Sequence, residues 1–176
     1  SIIWNGLTVG NGTAVSGTTF VTPVDPTNPH YESGIYLEKA TIQTGGGNVF
    51  LAGSSAGTDG AYDFGILTHD VSSINSGSGT ISIKGGTESS TVRGMVVGIQ
   101  YSIQPGSLTL TSASTQATSI DVEARSASNF GLAFEGEFNL ISTQSGGVKF
   151  TTIGSTAGTR LGFSTNPGTL NVLAAS

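Results

Sequence analysis

The chain has no cysteine. That absence removes disulfides, thiolate metal sites and thiol nucleophiles together, and leaves burial and backbone hydrogen bonds to hold the fold. Charge is scarce too: 10% of the 176 residues are charged, and six basic against eleven acidic residues leave a net charge of −5. With no basic cluster and no aromatic run on a basic face, nucleic acid is not expected among the partners. No apolar run approaches the roughly 18 residues of a membrane helix, so no membrane insertion is expected. The opening SIIWNGLTV has neither an initiator Met nor the regions of a signal peptide. It reads as a processed protein or a piece of a larger one.

What is abundant points one way. Gly 27, many Ser and Thr and a single Met argue against a helical protein, which draws on Ala, Leu, Glu and Lys. The segment GIYLEKATIQTGGGNVFLAG, from Gly34 to Gly53, recurs imperfectly from Gly65, Gly94 and Gly131 as GILT, GMVV and GLAF. Recurrence about every thirty residues marks a repeat protein. The first copy holds three apolar pulses, Ile35/Leu37, Ile42 and Val49/Leu51. The second repeats them as Ile66/Thr68, Ile74 and Ile81/Ile83, the third as Met95/Val97, Ile103 and Leu108/Leu110, the fourth as Leu132/Phe134, Leu140 and Val148/Phe150. Period-two pairs bounded by Gly, Ser and Asn are short strands, and helical spacing is nowhere sustained.

Three short strands cannot bury an apolar face alone, so the copies must stack. The expected fold is all-β, a parallel β-helix or β-solenoid of about five rungs of roughly 30 residues, with three short strands in each. Residues 1–33 form a partial rung and a Pro-rich loop at 23–33, with Gly6-Leu7-Thr8-Val9 as a strand and Trp4 beside it, covering an open end of the core. The repeats follow as 34–64, 65–93, 94–130, 131–160 and a shortened 161–176, in which Leu170/Val172 is a third strand and the second is skipped. Ile120 to Arg125 alternates apolar and charged residues as an extra strand with one wet face. Glycines are assigned to the sharp bends, where they adopt positive φ without penalty.

Repeats of the form G-[IML]-x-[LVF], a lone Ile, then G-x-[VIL]-x-[LIF] resemble the β-helical shafts of bacterial two-partner-secretion exoproteins, the filamentous-haemagglutinin-like adhesins. The resemblance covers roughly residues 34–173. It implies a right-handed coil, export to the bacterial cell surface and cell adhesion through a glycan or protein on a host or neighbouring cell. A second expectation is an extracellular fibre assembled end to end through strand edges. A third is a β-helical polysaccharide-active enzyme.

The motifs with chemical content favour the non-catalytic readings, and no catalytic, cofactor-binding or metal-binding residue is assigned. Gly53-Ser54-Ser55-Ala56-Gly57 matches G-x-S-x-G, yet that nucleophile needs a strand-to-helix turn, and the chain offers no helix. His30 and His69 lie in different repeats, and His69, Asp70, Asp59 and Asp63 are read as loop charges. Gly45-Gly46-Gly47-Asn48 lacks the aspartate of calcium-binding glycine-rich repeats. Asp121, Glu123 and Arg125 share a strand face but need acids from neighbouring rungs to act as a lyase site. Glu135 and Glu137 have a spacing compatible with two-carboxylate chemistry, but Gly136 between them reads as a bend. Thr109-Leu110-Thr111 invites an ice-binding reading. The outward positions matched to it, Phe50, Ser82, Thr109, Lys149 and Asn171, form no ladder. Phe50 and Tyr36 are expected to be exposed on a shallow binding surface.

Overall fold

A computed structural model describes residues 2–5, 14–19, 32–55, 63–87, 89, 91–99, 106–134, 136–154, 159–161 and 168–175. Among these every regular element is a strand: β1 (Ile2–Asn5), β2 (Ala14–Thr19), β3 (Glu32–Glu38), β4 (Thr41–Gln43), β5 (Val49–Ser55), β6 (Asp63–His69), β7 (Val71–Asn75) and β8 (Ile81–Gly85). The series continues with β9 (Arg93–Ile99), β10 (Ser107–Ser112), β11 (Thr118–Arg125), β12 (Leu132–Phe134), β13 (Glu137–Ser142), β14 (Gly147–Ile153), β15 (Thr159–Leu161) and β16 (Thr169–Ala174). They form three sheets. Sheet I is β1-β3-β6-β9-β12-β15, sheet II is β4-β7-β10-β13-β16, and sheet III is β2-β5-β8-β11-β14. Neighbours within each sheet are parallel, and the chain visits the sheets in turn. The fold is a β-solenoid, as the repeat spacing predicts.

The apolar pulses become continuous columns because in-register parallel pairing sets like residues above one another. In sheet III, Val49 pairs with Ile81, Ile81 with Ile120 and Ile120 with Val148. In sheet II, Ile42, Ile74, Leu110 and Leu140 align. These residues and Ile35, Leu37, Ile66, Met95, Val97, Leu132 and Phe134 belong to one buried cluster, with Val148 packed partly buried against it. Burying each such side chain stabilises the fold by about 1.5–3 kcal/mol.

Register also corrects the sequence assignment of the third copy. Leu108/Leu110 is a sheet II strand, facing Ser72 and Ile74, and Thr118–Arg125 is the sheet III strand that joins β8 to β14. It is not an extra element. Leu170 and Val172 pair with Phe138 and Leu140, so the last copy keeps its second strand. The pulses were indistinguishable because the lone Ile of the early copies is one member of a disguised pair. Ser72, buried beside Ile74, accepts a hydrogen bond from the Ala40 amide at 3.1 Å. At the N-terminus, Trp4 lies within β1, paired with Leu37, while Leu7 to Val9 and Ile103 lie outside the described residues. Glu32 and Ser33, assigned to the Pro-rich loop, open β3. β2 escaped the sequence reading; its Val15-Ser16-Gly17 pairs with Leu51-Ala52-Gly53, and aliphatic-x-Gly was the available signal.

The repeat-initial glycines serve a different purpose from the one expected. Positive φ occurs at Gly45, Gly46, Gly77 and Gly86 and at the non-glycine corner residues Lys39 and Asp70. Gly34, Gly65, Gly94 and Gly131 instead line a seam where the ends of sheet III strands press on the starts of sheet I strands. A Cβ on Gly94 would lie 2.4 Å from the Gly131 carbonyl oxygen and 2.6 Å from the Arg125 amide nitrogen.

The middle of sheet I is apolar on both sides. Tyr36 aligns with Leu67, Leu67 with Val96, and Val96 with Ala133, and Leu67, Val96, Ala133 and Phe64 form a second buried cluster against which Tyr36 packs. Arg93 sets its guanidinium 5.6 Å from the Phe64 ring centre. The signal was present in the unbroken runs Ile35-Tyr36-Leu37, Met95-Val96-Val97 and Leu132-Ala133-Phe134, since strands buried on both faces do not alternate.

Buried hydroxyls hold the corner between sheets II and III. Ser76 Oγ and Ser112 Oγ both donate to the Gly79 carbonyl, at 2.6 and 2.7 Å, and Ser112 Oγ accepts from the Ser114 amide at 3.1 Å. One turn further, Ser142 Oγ donates to the Gly146 carbonyl at 2.6 Å and accepts from Ser119 Oγ at 2.8 Å. Ser112→Ala is expected to cost about 1–2 kcal/mol, because a buried amide loses its acceptor and a carbonyl one of its donors. A urea titration followed by circular dichroism measures it.

Candidate functional site

Most of the candidate functional side chains lie on the outer faces of sheets II and III, with Tyr36 and His69 on sheet I. Sheet III carries the charges. Asp121 lies in register between Ser82 and Lys149, and Glu123 between Lys84 and Thr151. Lys149 Nζ stands 3.8 Å from Asp121 Oδ1, and Arg125 Nε donates to Glu123 Oε1 at 2.5 Å. The neighbouring strands supply lysines, serine and threonine, where lyase chemistry at Asp121 and Glu123 requires further acids. These partly exposed pairs are worth little individually, so Glu123→Gln is expected to move stability by no more than about 1 kcal/mol, read from the denaturation midpoint.

The other candidates are dispersed. Ser54 and Ser55 continue β5, paired with Thr18 and Thr19, so the serine sits on a strand and not on a nucleophile turn. Asp70 occupies the corner after β6, with its Oδ2 3.4 Å from Lys39 Nζ and 3.5 Å from His69 Nδ1. The His69 ring is 6.4 Å from that of Tyr36. His30, Asp59 and Glu135 lie outside the described residues. Among the described residues no group of three or more His, Asp or Glu is placed to hold a metal ion. Glu137 is exposed at the start of β13, in register with Ser107 and Thr169. Gly136 beside it is a tight bend, where a Cβ would collide with the Gly106 carbonyl.

Register divides the outward positions that the sequence groups together into two columns. Phe50, Ser82, Asp121 and Lys149 form one column on sheet III. Thr109 belongs to sheet II, in a column of Thr41, Ser73, Thr109, Asn139 and Asn171. Beside it run Gln43, Asn75, Thr111, Ile141 and Leu173. The polar column is cross-linked: Asn139 Nδ2 donates to Thr109 Oγ1 at 3.3 Å, and Asn171 Nδ2 to Asn139 Oδ1 at 2.8 Å. This ladder of hydroxyls and amides is hidden in the sequence, where Leu108/Leu110 reads as a third strand of its copy. The two aromatics expected to be exposed divide: Phe50 is 38% exposed, whereas Tyr36 is half-buried against the second cluster.

Compared with known proteins, this β-solenoid chain matches no family model, no curated protein and no solved structure.

Proposed function

We propose that the chain is a non-catalytic structural and adhesive segment of a secreted bacterial surface protein, a right-handed β-helical rod of about five rungs that mediates attachment. The observation that carries this reading is the continuity of the columns. Every sheet stacks mostly aliphatic inward residues in parallel register, so the inward side chains serve the stacking and the wet faces present a long surface. A glycan or protein on a host or neighbouring cell is the partner. Beads coated with the purified chain, tested against cell lines and against glycan and protein arrays, are expected to be retained in a saturable way. Absence of retention throughout the panel rejects the reading, and release of reducing ends from a polysaccharide replaces it with the enzyme.

One observation favours a second reading, a subunit of an extracellular fibre. On edge strand β16, Val172 sits in the column of Leu140, and Val172 and Leu173 are 51% and 61% exposed. An unpaired edge with apolar residues is a template for another strand. Sedimentation and electron microscopy over a concentration series test it, with filaments expected for a fibre and short monomeric rods otherwise.

A further inference from the structure

The outer face of sheet II carries a single ionisable residue among its described positions, in contrast to the charged face of sheet III. Its described outward positions are Thr41 and Gln43 on β4, Val71, Ser73 and Asn75 on β7, Ser107, Thr109 and Thr111 on β10, Glu137, Asn139 and Ile141 on β13, and Thr169, Asn171 and Leu173 on β16. Glu137 alone is ionisable, in a chain that sets Lys84, Asp121, Glu123, Arg125 and Lys149 along sheet III. None is aromatic.

We propose that this face binds the surface of ice. Small-molecule and glycan sites are concave and lined with apolar and aromatic groups, and the array here is a sheet face built from hydroxyls, amides and a few methyl groups. A ligand that fits is itself flat, uncharged and periodic, with donors and acceptors on a fixed grid. Parallel pairing spaces the columns' members by about 4.8 Å across the strands, and alternate residues along a strand lie about 6.7 Å apart. Those two distances are close to the repeats of water oxygens on a prism face of ice. The hydrogen bonds from Asn139 to Thr109 and from Asn171 to Asn139 hold side chains in place before the ligand arrives, which lowers the entropy lost on binding. Val71, 66% exposed, and Leu173 supply methyl groups at the margins, where liquid water is weakly held. The inference is independent of the attachment reading, since it concerns one face and no cell-surface partner.

The test is partition into slowly growing ice. The labelled chain is expected to be enriched in the ice over a non-binding control protein and to facet small crystals. Thr109→Lys and Gln43→Lys, each placing a charge on the face, are expected to lose the enrichment while keeping the parent's thermal midpoint. Ser82→Lys, on sheet III, keeps both. Should Thr109→Lys fail to fold, Gln43→Lys, at an exposed position, decides alone. Exclusion of the parent chain from ice overturns the proposal, as does enrichment unchanged in the folded lysine variants. Retention on crystalline cellulose with exclusion from ice also overturns it, and assigns the face to a neutral polysaccharide surface.

Discussion

Gly65→Ala is expected to unfold the coil at temperatures where the parent chain is fully folded. A Cβ at this position would stand 2.3 Å from the Gly86 amide nitrogen, 2.4 Å from the Gly94 carbonyl oxygen and 2.7 Å from that of Gly53. All three neighbours are backbone, so no side chain can rotate away and at least one strand must move. Overpacking a core costs about 1–3 kcal/mol when side chains can adjust. Here the displaced strand also loses register in its sheet, and the expected cost is about 3 kcal/mol or more, a large part of the roughly 5–15 kcal/mol that holds a domain together. Gly147→Ala is the control: its Cβ would meet one carbonyl oxygen, that of Ala117 at 2.9 Å, and the loss should be smaller. Thermal melts followed by circular dichroism compare the two. Equal midpoints for Gly65→Ala and the parent would show that the seam between sheets I and III opens in solution.

Ile81→Asp carries the second large effect. Ile81 is 1% exposed and lies between Val49 and Ile120 in the middle of the sheet III column. The substitution removes an aliphatic side chain from a packed stack and puts a carboxylate among aliphatic side chains. Leaving a polar group buried without a partner costs at least a few kcal/mol, and more when it is charged. The combined loss is expected to exceed about 4 kcal/mol and to abolish the cooperative transition. Ser82→Asp, one residue along and facing out between Phe50 and Asp121, should leave the fold standing. If Ile81→Asp melted like the parent, the assignment of inward and outward faces would be wrong.

Both variants test features that stood out differently in the sequence. The alternation around Ile81 and Ile83 shows at once which residues point inward, because a strand has a period of two and one face must leave water. The repeat-initial glycines were equally visible, but their reason was not. A glycine demanded by positive φ and one demanded by the approach of another strand look alike in one dimension, and the contacts at Gly65 come from residues that are distant in the chain. The Ser and Thr of the corners likewise read as loop composition until Ser76 and Ser112 converge on one carbonyl.

The sequence by itself determined that this is an all-β repeat protein without thiols, and which aliphatic residues form most of the described core. Those are local properties, set by composition, period and the need to bury apolar surface. The tertiary structure decided which strand stacks on which. Leu108/Leu110 and Ile120/Val122 are both period-two apolar pairs, and either could have followed β9 into the second or the third sheet. Hydrogen bonding to the strand of the neighbouring turn chose between them, and that choice assigned every outward residue of both strands to its face. The uncharged ladder of sheet II and the ion pairs of sheet III exist only once that pairing is made, because a surface column is built from residues that meet through space and not along the chain.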